Sequence, residues 1–201
     1  YQKAAIETAL ATPRCGLFMP MGLGKTAVTL SVINDLLYDR LEISKVLIIA
    51  PKKVSESTWQ DEIEKWDDFK GLRVSTVLGS QKKRLEALAA DADVYITNRE
   101  NTVWLMEEYN YQPPFDMLVL DESSSFKNPQ AKRFRALRKC RTCFSRMILL
   151  TGTPSPNNLM DLWAQLYLID GGERLGRTLT AYRRNYFRPD KTNGPVVYSY
   201  K

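Results

Sequence analysis

Short, nearly unbroken apolar runs, separated by helical patterns, place the strongest constraint on the fold of this chain. The runs are CGLFM (Cys15 to Met19), KVLIIA (Lys45 to Ala50), VSTVL (Val74 to Leu78), DVYIT (Asp93 to Thr97), MLVLD (Met117 to Asp121) and MILLT (Met147 to Thr151). Unbroken runs of this length are typical of strands in a parallel sheet that is covered on both faces. Strand followed by helix, repeated, predicts an α/β domain of three layers with a mainly parallel central sheet.

Amphipathic segments between the runs predict the helices. Trp59, Ile63 and Trp66 are spaced i, i+4, i+7, and the spacing of Ser57 and Gln60 before them fits a capping box. Other helices are marked by Leu30, Ile33 and Leu37, by Leu85 and Leu88, and by Leu159, Leu162, Trp163 and Leu166.

Composition favours a cytoplasmic or nucleoid-associated protein without a membrane partner. The 201 residues are 44% apolar and 26% charged, and no apolar run approaches the roughly 20 residues of a membrane span. The first residues, YQKAAIETAL, lack the apolar centre and the small-residue cleavage site that are expected of a signal peptide. The three cysteines favour a reducing setting. We expect no zinc site, because Cys140, Cys143 and Cys15 would still lack a fourth ligand in a chain without histidine.

Positive charge is concentrated in two segments. Residues 127–146 hold eight basic and no acidic residues, and residues 171–191 hold six basic and two acidic ones, within a net charge of +6. This concentration predicts a surface for a polyanion such as nucleic acid. Solvated helix faces remain the alternative for either segment alone.

A glycine-rich stretch, MPMGLGKTAV, follows the first predicted strand and opens a helix. Gly22 and Gly24 can adopt backbone angles that turn successive N–H groups toward an anion. Lys25 adds a charge for the β- and γ-phosphates of a nucleotide, and the Thr26 hydroxyl can ligate Mg²⁺. The pattern is the short GxGKT form, since the glycine of the full phosphate-loop pattern is Met19 here.

Two adjacent carboxylates, Asp121 and Glu122, end the MLVLD run. Buried neighbouring charges of the same sign repel each other, and a bound cation offsets that repulsion. Asp121 is therefore expected to hold Mg²⁺. Glu122 is expected to orient or deprotonate the water that attacks a nucleotide.

Taken together, these motifs resemble those of superfamily-two helicase-like ATPases, and most closely the Swi/Snf-type DNA translocases. GLGKT, LVLDES and LLTGTPSPNNLMDLW have the order and spacing of motifs I, II and III of that family. VLIIAPKKVSESTWQDEIEKW is similar to motif Ia, and VYITNRE to motif Ib. The three serines after Glu122 and the compact motif spacing are similar to bacterial or phage-borne members.

The resemblance implies a RecA-like domain that binds ATP and Mg²⁺ and moves on double-stranded DNA. Its catalytic residues would be Lys25, Asp121 and Glu122, with Thr26 and Asp121 at the metal. The nucleotide would be bound by Gln2, Met21, Gly22, Leu23, Gly24, Lys25 and Thr26, with Gln2 at the adenine. Coupling to DNA would fall to Ser124, Thr151, Gly152 and Thr153, and contacts along the DNA backbone to Pro51, Lys52, Thr97, Asn98 and Arg99.

Three departures from the family pattern bear on function. Motif II continues Ser123-Ser124 where relatives carry Ala-His, so Ser124 must take over the link to motif III or leave it broken. Met19-Pro20 replaces residues that are commonly acidic. Residues 1–170 are predicted to form the first RecA-like domain. Residues 171–201 would form a basic extension at the start of a missing C-terminal part. In the family, that part contains a second RecA-like domain, which supplies an arginine finger to the ATP bound by the first.

Three alternatives stay open at this point. The first is a DEAD-box-like or restriction-type motor that acts on RNA or on DNA ends. The NNLMDLW sequence in motif III argues against this alternative. A non-catalytic nucleic-acid-binding module could retain the fold, although Lys25, Thr26, Asp121 and Glu122 are all present. A small-molecule kinase would leave LLTGTP without an obvious role.

Overall fold

All of the apolar runs predicted as strands lie in one parallel sheet. The protein is represented by a computed structural model that describes residues 1–193 and 196–200. The strands of this sheet are β1 (Arg14–Phe18), β2 (Val46–Ala50), β3 (Val74–Thr76), β4 (Val94–Asn98), β5 (Met117–Asp121) and β6 (Arg146–Thr151). Their spatial order is β1-β6-β5-β2-β4-β3, and each neighbouring pair is parallel.

Helices cover both faces of the sheet, as the α/β prediction requires. They are α1 (Gln2–Ala11), α2 (Lys25–Asn34), α3 (Trp59–Lys65), α4 (Gln81–Ala89), α5 (Thr102–Glu108), α6 (Lys132–Cys140), α7 (Leu162–Asp170) and α8 (Leu179–Tyr186). An antiparallel hairpin of β7 (Pro189–Asn193) and β8 (Val196–Tyr200) follows. Among the described residues, no helix combines the length and the apolar character needed to cross a membrane.

Alternate residues of the central strands β2, β4, β5 and β6 enter two separate apolar cores. In β2, for example, Val46 and Ile48 face the core under α1, α2 and α3, whereas Leu47 and Ile49 face the core under α5, α6 and α7. All of these strand residues are fully buried. Apolar side chains are needed on both faces because each face is covered, which explains why the runs are continuous rather than alternating.

Two details of the predicted helices are wrong. Ser57 does not cap a helix, because the chain is already helical from Val54 to Thr58 in a π-helical turn that leads into α3. The side chain of Gln60 instead donates to the Thr76 hydroxyl. Trp66 is not a core residue: α3 ends at Lys65, and the Trp66 side chain is 45% exposed.

Residues after α7 pack onto the apolar core under α5, α6 and α7. The Tyr182 side chain of α8 is buried there, and its hydroxyl donates to the carbonyl of Leu159 at 2.9 Å. The indole N–H of Trp163 donates to the carbonyl of Gly176 at 3.0 Å. The domain boundary at residue 170 remains a prediction.

Candidate nucleotide and nucleic-acid site

The glycine loop between β1 and α2 has the backbone conformation expected of an anion cradle. Gly22 has φ 80°, and Gly24, the N-cap of α2, has φ 75° and ψ 32°. Residues with a Cβ rarely adopt these angles. A Cβ at Gly24 would also lie 2.4 Å from Nε2 of Gln2, whereas one at Gly22 would meet nothing within 4 Å. The loop is therefore open on the side of Gly22 and closed by Gln2 at Gly24.

Lys25 and Gln2 both bond to the loop itself. The Lys25 ammonium donates to the carbonyls of Met19 at 2.9 Å and Pro20 at 3.2 Å. The Gln2 amide, at the start of α1, donates to the carbonyl of Leu23 at 3.2 Å. A phosphate would offer Lys25 a charged acceptor in place of two neutral carbonyls, which adds the attraction between opposite charges to the hydrogen bond.

The carboxylate of Asp121 is held by two N–H groups at the carboxyl end of β5. The indole N–H of Trp59 donates to its Oδ2 at 3.1 Å, and the backbone N–H of Glu122 donates to its Oδ1 at 3.0 Å. Burial raises the pKa of Asp121, and the charge of Glu122 raises it further. The Trp59 bond and the Lys25 charge lower it in part. The charge of a divalent cation at this carboxylate would offset the cost of burying it, so the oxygen donors of Asp121 fit Mg²⁺.

Glu122 has a left-handed backbone, with φ 51° and ψ 56°, that a glutamate rarely adopts. Its Oε2 accepts a hydrogen bond of 3.3 Å from the hydroxyl of Thr151, the last residue of β6. Thr151 in turn accepts from the backbone N–H of Thr153 at 3.1 Å. A chain of hydrogen bonds thus joins the candidate base to the LTGTP segment.

The LTGTP segment also touches the glycine loop. A Cβ at Gly152 would lie 3.4 Å from the carbonyl oxygen of Met19 and 3.5 Å from the nitrogen of Met21. A Cβ at 152 would therefore lie in van der Waals contact with the loop. Thr151 and Gly152 lie between the glycine loop and the carboxylate pair, and the coupling role expected of them stays a prediction.

The hydroxyl of Ser123, rather than that of Ser124, connects the turn after β5 to α7. Ser123 is fully buried and donates to Oε1 of Gln165 at 2.8 Å. Ser124 is half-buried, and its hydroxyl has no hydrogen-bond partner within residues 1–193 and 196–200. The coupling role expected of Ser124 stays a prediction.

The five residues predicted to contact DNA lie at the carboxyl ends of β2 and β4, which are adjacent in the sheet with Ala50 opposite Asn98. Lys52 is exposed, and Pro51, Asn98 and Arg99 are half-buried. Thr97 is fully buried and donates to the carbonyl of Val77 at 2.8 Å. Its burial argues against a direct contact with DNA, because a buried side chain can only support the turn that presents Asn98 and Arg99.

The strand order divides the carboxyl edge of the sheet into two parts. β1, β6 and β5 are consecutive and carry the glycine loop, the LTGTP segment and the carboxylate pair. β2 and β4 carry the candidate DNA residues. Sequence reasoning missed Trp59, Ser123 and Gln165 as neighbours of the site. A signal for Gln165 was available, since it is a polar residue within the apolar run LWAQLYLI.

Comparisons with known proteins identify the family of the chain. The family model for the SNF2-related domain matches residues 4–190. The putative protein p41 of Acyrthosiphon pisum secondary endosymbiont phage 1 is 39% identical over 194 residues, which cover 94% of this chain and 42% of that protein. Helicase SWR1 of Mycosarcoma maydis is 34% identical over 155 residues, covering 74% of this chain and 8% of that protein.

A solved structure has the same fold. The Sulfolobus solfataricus SWI2/SNF2 ATPase core in complex with dsDNA superposes with a TM-score of 0.79 at 25% identity, covering 92% of this chain and 38% of that one. The chain spans less than half the length of each of these relatives. The family model covers nearly the whole chain, and the order of strands and motifs is that of a RecA-like ATPase domain. The chain therefore belongs to the SNF2-related domain family of Swi/Snf-type helicase-like ATPases.

Proposed function

We propose that this chain is the first RecA-like motor domain of a DNA-dependent ATPase that couples ATP hydrolysis to movement on double-stranded DNA. The observation that carries the proposal is the Glu122–Thr151 hydrogen bond, because it joins the candidate base to the segment that also touches the glycine loop. A non-catalytic module would have no need to keep a carboxylate in a left-handed backbone at this position.

Each residue of the nucleotide site has a distinct part in this proposal. Lys25 and the first N–H groups of α2 bind the β- and γ-phosphates, and Gln2 contacts the adenine. Thr26 and Asp121 would hold Mg²⁺, which neutralises charge that develops on the phosphates. Glu122 orients the attacking water and accepts its proton, while the Thr151 hydroxyl fixes the direction of that carboxylate.

The DNA side of the motor lies on the neighbouring strands. Lys52 and Arg99 supply charge for phosphates, and Pro51 and Asn98 shape the turns that present them. Phosphate contacts position a protein on the duplex without reading its sequence, so we expect little sequence preference and steep dependence on salt. A second RecA-like domain would close over the ATP and supply an arginine finger, whose absence costs about 10³–10⁵ in rate.

ATP hydrolysis by the intact native protein tests the proposal. Rates would be measured with duplex DNA, single-stranded DNA, RNA and no nucleic acid at one salt concentration. We expect duplex DNA to give the highest rate. Equal rates in all four conditions would sink the translocase assignment, and stimulation by RNA alone would favour a DEAD-box-like motor instead.

A Glu122→Gln variant tests the role of the base. The amide oxygen can still accept from Thr151, so binding of a fluorescent ATP analogue should be retained. The rate of hydrolysis should fall by about 10²–10⁴. Glu86→Gln, at an exposed position of α4, is the matched control and should behave as wild type. Normal turnover by Glu122→Gln would show that the base is another group.

A further inference from the structure

A small buried network joins the turn after β5 to the segment after β6. The Ser123 hydroxyl donates to Oε1 of Gln165 at 2.8 Å. The amide nitrogen of Gln165 donates to the carbonyls of Pro154 at 2.6 Å and Asp161 at 2.9 Å. Ser123 and Gln165 are both fully buried. Because carbonyls only accept, the amide nitrogen must face them, and Ser123 must be the donor to the amide oxygen.

The network begins and ends beside residues of the proposed chemistry. Ser123 follows Glu122 directly, and Pro154 follows Thr153, whose N–H bonds to Thr151. A left-handed glutamate is retained only where its surroundings hold the backbone on both sides. Asp121 is held on one side by β5. Ser123 supplies the hold on the other side.

The same network fixes the loop of residues 152–161 at two points. Gln165 binds the carbonyl of Pro154 at one end. At the other end, Asp161 accepts through its Oδ2 from the backbone N–H of Asn157 at 2.9 Å and from Lys127 at 3.1 Å. The loop can therefore not shift as a whole without breaking a bond to α7 or to the turn after β5.

We propose that Ser123 and Gln165 are positioning residues that hold Glu122 in register with the LTGTP segment, in place of the motif II histidine that this chain lacks. The inference rests on the proposed function. Neither residue touches the reacting atoms. Ser123 acts through the backbone of Glu122, and Gln165 acts through Pro154. The role predicted for Ser124 is thereby assigned to its neighbour.

Three variants of the intact native protein test this role. Ser123→Ala removes the donor to Gln165. Gln165→Met keeps a long unbranched side chain but removes all three hydrogen bonds, and the double variant combines both changes. Ser75→Ala is the matched control. Ser75 is also a buried serine, and its hydroxyl donates to the carbonyl of Ala87 at 2.7 Å. It lies on β3, the edge strand farthest from β1. Ser124→Ala represents the rival assignment.

The measurements are kcat and KM of DNA-stimulated ATP hydrolysis, together with hydrogen exchange of the Thr153 and Asn157 amides. Ser123→Ala should lower kcat by about 10–100-fold, because a small displacement of a catalytic group has a large effect on rate. KM for ATP should change less than about threefold. Exchange at both amides should become about tenfold faster or more. The double variant should match Gln165→Met, since Ser123 then has no partner left to lose.

Several results would overturn the inference. One is a normal kcat in Ser123→Ala, even with faster exchange, and another is an equal loss of kcat in Ser75→Ala. A loss that follows Ser124→Ala alone would return the role to the residue that sequence reasoning chose. If Ser123→Ala does not fold, Gln165→Met with normal kcat refutes the role equally well. An inactive wild-type protein would refute the proposed function itself, whereas an active wild type beside an unaffected Ser123→Ala refutes only this inference.

Discussion

Replacement of Arg146 by methionine should destabilise the domain far more than loss of its ionic partner. Arg146 begins β6, and its side chain is 6% exposed. Its guanidinium donates to the carbonyls of Ala9 and Leu10 in the last turn of α1, both at 3.0 Å. It also pairs with Glu42 at 2.8 and 3.0 Å, but the Glu42 side chain is 43% exposed.

The geometry sets the size of the effect. Hydrogen bonds from a charged donor contribute about 1.5–3 kcal/mol each, and here two of them go to helix-end carbonyls. Methionine recovers part of this through apolar packing, so Arg146→Met should lower the free energy of unfolding by about 3–4 kcal/mol. Glu42 is the solvent-exposed end of the ion pair, and its amide counterpart can still accept a hydrogen bond from Arg146, so Glu42→Gln should lower the free energy of unfolding by less than about 1 kcal/mol.

Urea denaturation followed by far-UV circular dichroism measures both differences. In a domain of this size, about 3–4 kcal/mol corresponds to a fall in Tm of about 6–16 °C. A Glu42→Gln variant as unstable as Arg146→Met would show that the ion pair, not the carbonyl contacts, carries the stabilisation. The reasoning would also fail if Arg146→Met cost less than about 1 kcal/mol, the size of a surface substitution.

Two further predictions concern ionisable groups. Burial raises the pKa of the Cys15 thiol to about 11 and that of the Cys140 thiol to about 12. A thiol reagent at pH 8 should therefore modify the half-exposed Cys143 first. Equal rates of modification at all three cysteines would contradict this difference in burial. Burial opposes ionisation of Asp116, but the Ser44 hydroxyl and the N–H groups of Ser44 and Lys45 lower its pKa below the usual value. Its stabilisation is therefore present above the unfolded pKa, about 4, and is lost as the pH falls through the lower folded pKa. Asp116→Asn should lower the free energy of unfolding at pH 7 by about 1–3 kcal/mol, and this free energy should then fall less steeply as the pH is lowered. The same fall at low pH in the variant and the wild type would show that the Asp116 carboxylate does not cause it.

The strands and the convergence of the motifs could be predicted from sequence because both follow from short-range pattern. A covered parallel strand needs apolar side chains on both faces, and parallel strands bring their carboxyl ends to one edge. The Asp121–Glu122 pair and the GLGKT loop therefore had to lie at the same edge once the sheet was inferred. The order of strands along that edge, which separates the candidate nucleotide residues from the candidate DNA residues, came from the structure.

Side-chain direction in the turns could not be predicted. Ser123 and Ser124 have the same chemistry, and the structure shows that Ser123, directly after the left-handed Glu122, is the one whose hydroxyl enters the interior. The capping box at Ser57 failed for a related reason. Its spacing is correct, but the chain is already helical before it, so Ser57 has no free N–H groups to cap. Trp59 was interpreted as a packing residue, which it is, yet its N–H also reaches Asp121.

The position of β1 at the end of the sheet has a consequence for how the protein is made. Its sheet partner β6 lies about 130 residues later in the chain, with Arg14 opposite Met147. During synthesis at about 5–20 residues per second, β1 would wait roughly 7–26 s before the strand that secures it leaves the ribosome. Pairing over so long a separation is also slow after release. The glycine loop that follows β1 is thus made early, but the proposed nucleotide site around it would be complete only after β6, the last strand of the sheet, has joined.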